Sequence, residues 1–63
     1  MPNWNRLLDG EAFIDGWRAA KLDMLELLRI YTKAQAVAVC GARAWNEHHG
    51  RERKGYLAFI STL

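Results

Sequence analysis

The sequence lacks most of the devices that hold small proteins together. Its 63 residues include one cysteine, so no disulfide can close within a single chain. No apolar run approaches the roughly 18 residues that a spanning helix needs. The layout of a secretory signal (basic start, apolar middle, small-residue cleavage site) is also missing. There is no glycine-rich phosphate loop, no internal repeat and no low-complexity tract. The one proline, Pro2, stands at the start, so nothing in the remaining 61 positions breaks a helix in that way. These absences lead us to expect a cytoplasmic protein of one small domain, residues 1–63, with no membrane span and no cofactor.

Apolar residues are not scarce. They make up 51% of the chain, too many for a disordered segment. Yet a domain of about 60 residues buries only about 60% of its unfolded surface. Burial gain and ordering entropy then nearly cancel. With disulfides excluded, association with a second copy or a larger protein is the expected source of further stability.

Residues 1–9 hold Pro2 and two Asn, which suit irregular backbone, with Trp4, Leu7 and Leu8 available to fold back on a core. From residue 10 to 31 the pattern is helical. Asp9 is a candidate N-cap and Glu11 puts negative charge in the first turn. Phe13, Trp17, Ala20, Met24, Leu27 and Tyr31 follow a 4-3-4-3-4 spacing, a heptad seam confined to an arc of about 80°. Ile14, Leu25 and Leu28 widen this stripe, and Lys21 snorkels on the same flank. Asp15–Arg18 and Glu26–Arg29 are favourable i,i+3 pairs on the polar face. Leu22 lies among them, alone, and is available to a second contact surface. Gly16 costs about 1 kcal/mol relative to Ala in mid-helix, a position that permits close approach of another backbone.

A second helix is expected over residues 33–49. Thr32 and Gln35 fit a capping box. Ala34, Ala38 and Ala42, with Val37, Gly41 and Ala44 beside them, give a small-residue face for a neighbouring helix. Gly50 reads as the stop, with His48 and His49 in the last turn. Residues 31–33 contain neither Gly nor Pro, so a tight turn competes with one continuous helix of about 40 residues. The Thr32–Gln35 restart signal favours the turn, and with it an all-α helical hairpin that is dimeric. Residues 51–54 then form a basic link. The apolar tail at 56–62 is a third helix or a β-prone strand, and helix is preferred because a strand would have no partner.

Candidate sites follow from spacing. Cys40, Glu47, His48 and His49 are metal-ligating types, but adjacent histidines point about 100° apart on a helix, and Cys40 and His48 lie roughly 12 Å apart along its axis. No metal is expected, and the same distance argues against a Cys–His nucleophile. So short a chain has little volume to enclose a pocket, so we do not expect an enzyme. Trp45, His48, Arg51, Arg53, Lys54 and Tyr56 form a basic, aromatic patch, and aromatics with Arg are the residue types enriched at binding hot spots. The same patch, taken as residues 43–54, suits phosphates and bases. A helix-turn-helix over 32–49 fails because Asn46 stands where an apolar residue belongs. A net charge of +2 is also modest for a nucleic-acid binder. Membrane-surface binding fits less well, since the first helix carries acidic residues on its polar face.

In size and in lack of catalytic equipment, the chain resembles the small inhibitor and anti-activator proteins of bacterial phages and plasmids. The expected function is that of a non-enzymatic, protein-binding regulator or inhibitor acting as a homodimer, with the Phe13–Tyr31 stripe as dimer seam. Nucleic-acid binding through the basic patch is the alternative.

Overall fold

The computed structural model describes residues 10–63. Among these it is all-helical, with three helices and no strand: α1 (Ala12–Leu27), α2 (Lys33–Glu47) and α3 (Gly50–Ser61). The segment with Trp4, Leu7, Leu8 and the candidate cap Asp9 lies outside the described residues, as does that part of the expected single domain.

The first helix ends four residues earlier than the periodicity of the stripe implies. After Leu27 the chain tightens: Arg29 N–H bonds the Glu26 carbonyl at 3.2 Å and Ile30 N–H that of Leu27 at 3.0 Å, a three-residue spacing. The start of α2 sets this break. Thr32 is extended (φ −67°, ψ 163°), accepts the Gln35 N–H on its side chain, and donates its own N–H to Gln35 Oε1 at 3.1 Å. This is the expected capping box, and an N-cap cannot also be a helical residue of the preceding helix. The turn, rather than the continuous helix, therefore occupies residues 28–32.

The second junction corrects the sequence reading. His48 and His49 are not in a last helical turn. Both are extended, and Gly50 comes next with φ 54°. That left-handed value suits glycine and redirects the chain into α3 instead of closing the structure. The basic link 51–54 thus belongs to a helix of 12 residues, and the tail continues it to Ser61. Glu52 supplies the negative charge in its first turn.

α3 packs chiefly on α1. A Cβ built on Gly16 would fall 1.9 Å from the Glu52 carbonyl oxygen, and one on Gly55 would fall 1.9 Å from that of Phe13. Each glycine thus meets the carbonyl three residues before the other. Arg51 lies beside Phe13 and Phe59 against Trp17, so the two helices run side by side in the same direction. The hydrogen that replaces each Cβ points at a carbonyl, a weak Cα–H···O contact worth about 0.5–1 kcal/mol. Gly16 acts as its unusual position suggested. Gly55 is its counterpart inside α3. The core is small: Ala20, Met24 and Leu27 from α1, Ala36, Cys40 and Ala44 from α2, and Tyr56 from α3.

Candidate interaction surface

The heptad stripe of α1 divides when the chain folds. Ala20, Met24 and Leu27 are buried within the same chain, against α2 and α3. Phe13 is partly covered, and so is Trp17, whose ring meets Phe59 edge-on at 4.9 Å. Lys21 Nζ lies 5.9 Å from the Trp17 ring centre, which keeps its charge in water over an aromatic face. Tyr31 is exposed in the turn. Most of the stripe expected to join two copies therefore holds α1 to its own α3, because that third helix exists.

Beside Ile30, exposed in the turn, the uncovered apolar residues along α1 and its C-cap lie on another face. Leu22 is 66% exposed and Leu25 59%, with Ile14 and Leu28 also exposed. Ile14, Leu25 and Leu28 were expected to widen the buried stripe, but α3 docks on the opposite flank, at Gly16, and leaves them open. At 100° per residue these four span about 120°. All four charges lie on the Leu22 side, Arg18 and Arg29 between Leu25 and Leu22 and Asp15 and Glu26 beyond it, and all are exposed. Neither expected i,i+3 ion pair forms: none of the four charges has a partner among the described residues. The surface is thus an apolar strip with two acidic and two basic groups beside it. A shallow hollow between Glu11, Ile14, Asp15 and Arg18 adds relief at its start.

The second candidate surface, around α2 and α3, is largely committed internally. Arg53 reaches back to the end of α2: Nε donates to the carbonyls of Ala44 and His48, both at 3.1 Å, and Nη2 to that of Trp45 at 3.0 Å. Its guanidinium also stacks over Trp45, 4.1 Å from the ring centre. The last turn of α2, without a basic residue of its own, is capped by a cation from the next helix. His48 Nδ1–H donates to Glu52, and the His48 ring lies 4.6 Å from that of Tyr56. Tyr56, expected to face outward, is 0% exposed and is the largest fully buried side chain among the described residues. Of the predicted patch, Trp45, Arg51 and Lys54 remain exposed.

Tyr56 also centres a polar cluster. Its hydroxyl donates to Asp23 Oδ2 at 2.6 Å, and Arg43 Nη1 lies 3.2 Å from Oδ1 of the same carboxylate. One residue from each helix therefore meets at Asp23. Burial, then the hydrogen bond to Asp23, then contact with Cys40 push the Tyr56 pKa well above its ordinary value. At Arg43, lost hydration lowers the pKa but the Asp23 carboxylate outweighs it, and the net shift is upward. The cluster keeps Tyr56 neutral and Arg43 charged. Its members hydrogen-bond to one another, which suits cross-bracing better than proton transfer. Sequence spacing could not reveal it: 33 residues separate Asp23 from Tyr56.

Among the described residues, no three His, Cys, Asp or Glu side chains gather in a way that could hold a metal ion. No helix among them is long and apolar enough to cross a membrane. Comparison of the chain with protein-family models, with curated proteins and with solved structures produced no match in any of the three.

Proposed function

We propose that the chain is a small non-enzymatic binding protein that presses the outer face of α1 against another protein, itself or a larger target, and so blocks or modulates what it covers. The observation that carries this reading is the strip Ile14, Leu22, Leu25 and Leu28, exposed together along α1 and its C-cap. Scattered exposed leucines are ordinary, but Leu22, Leu25 and Leu28 follow one another at spacings of three, and an exposed apolar row edged by charge is the usual mark of a protein-binding surface. Its position on a helix suits the helix-in-groove or helix-on-helix mode, read at spacings of three, four and seven.

Leu25→Glu tests the reading. Affinity capture from host lysate is expected to retain a specific protein on the wild-type chain and to lose it on the variant, with unchanged helicity by circular dichroism. Equal capture by both rejects the surface. Nucleic-acid binding is the alternative reading, and rests on Trp45, Arg51 and Lys54 at the surface. It predicts salt-dependent titration with an oligonucleotide.

A further inference from the structure

We infer that the occupant of this strip is α1 of a second copy of the chain, lying antiparallel about a two-fold axis at Leu22. The inference rests on the reading of the strip as a protein-binding face, and it is the order of the charges that names the partner. Around Leu22 the charges are inversely placed: Asp15 and Arg29 stand seven positions before and after it, Arg18 and Glu26 four before and after. Two antiparallel helices related by a two-fold axis bring together positions equally distant from that axis. With the axis at Leu22, Asp15 meets Arg29 of the second copy, in the turn just past the end of α1, and Arg18 meets Glu26. Symmetry repeats both contacts, so four opposite-charge pairs form. None of these side chains has an ion-pair partner among the described residues within one chain.

The apolar residues keep the same register. Leu22 lies on Leu22 of the second copy at the axis. In this symmetry each flank of the helix meets the same flank of its mate. Ile14 and Leu28 share a flank, eight positions before and six after Leu22, and come together at both ends of the contact. Lys21 stands on that flank with its charge directed over its own Trp17. A parallel two-fold arrangement turns each flank towards the opposite flank of its mate, so none of these four opposite-charge pairs forms, which disfavours it. Self-complementarity of this kind is what a two-fold interface requires of a single surface.

The test is sedimentation equilibrium of the full chain over a concentration series, with helicity followed by circular dichroism. The wild type is expected to dimerise. Asp15→Arg and Arg29→Asp are each expected to weaken the dimer about tenfold, since each change turns two attractive pairs repulsive. The double variant D15R/R29D is expected to return to within a few-fold of wild type. A dimer indifferent to the single reversals, or tightened by them, overturns the register. A chain that stays monomeric overturns the second copy as occupant. The broader reading then stands or falls separately, on whether wild type but not Leu25→Glu captures a different protein.

Discussion

The Tyr56 hydroxyl, 2.6 Å from the Asp23 carboxylate, ties the third helix to the first at the largest fully buried side chain among the described residues. Arg43 holds the other carboxylate oxygen from the second helix, so a single acidic group registers all three. Tyr56→Phe keeps the ring and removes the donor. A hydrogen bond to a charged acceptor contributes about 1.5–3 kcal/mol, and chemical denaturation of the variant should show a loss of about 2 kcal/mol with little change in the denaturant slope.

Tyr56 also predicts a response to alkali. Its folded pKa is raised, while an unfolded tyrosine ionises near pH 10. The stabilisation is thus complete below about pH 10. Above it, the unfolded chain loses a proton that the folded chain retains, and stability from this residue falls by about 1.4 kcal/mol per pH unit. Denaturation midpoints measured from pH 8 to 11 should decline more steeply in wild type than in Tyr56→Phe. Equal slopes would show that the hydroxyl is not held as described.

Three glycines should answer differently to one substitution. Gly41 has open space where a Cβ would stand, and Gly41→Ala should gain up to about 1 kcal/mol from helix propensity. Gly16→Ala and Gly55→Ala each place a methyl 1.9 Å from a carbonyl oxygen of the opposing helix. Overpacking of this kind costs about 1–3 kcal/mol or more, so thermal melting should shift upward for the first variant and clearly downward for the other two.

Arg53→Ala should expose the end of α2. Three carbonyls lose their donor and Trp45 loses the guanidinium above it. A stability loss of about 1–2 kcal/mol is expected, with a shift in Trp fluorescence. Arg53→Lys should recover only part of it, because an ammonium is a point donor and cannot reach all three carbonyls as a planar fork does.

Thr32→Ala removes the hydroxyl half of the capping box. It should cost about 1 kcal/mol, seen as a lower melting temperature with the outer face of α1 unchanged. Binding through that face should survive at temperatures where the variant is folded.

The parts of this fold that were legible in the sequence are local ones. The Thr32–Gln35 box is a contact between residues three apart, and spacing alone reveals it. Gly16 was legible as an anomaly because its propensity cost had to be offset by something close to it. What escaped depends on where a third helix lands. The run Arg51–Lys54 is polar enough to resemble a linker, yet it helixes because Arg53 finds carbonyls on α2 and because Gly55 and Tyr56, just beyond it, are buried. Once α3 occupies one side of α1, Met24 and Leu27 become core while Leu25 and Leu28 stay outside. Periodicity placed all four on one broad stripe. It identifies an apolar face but not how much of its width the chain itself covers, which decides what remains for a partner.

The crossing of α1 and α3 has a consequence for how the sequence can drift. The atoms nearest a Cβ at Gly16 belong to Glu52, and those nearest one at Gly55 to Phe13. Each meets main chain of the opposing helix, and main chain is common to all twenty residues. A larger side chain at either position therefore has no compensating trim elsewhere, as a crowded side-chain pair would have. The two sites are constrained separately, and a chain carrying both alanines should be worse than one carrying either. Variation can pass through these two positions only if the helices part.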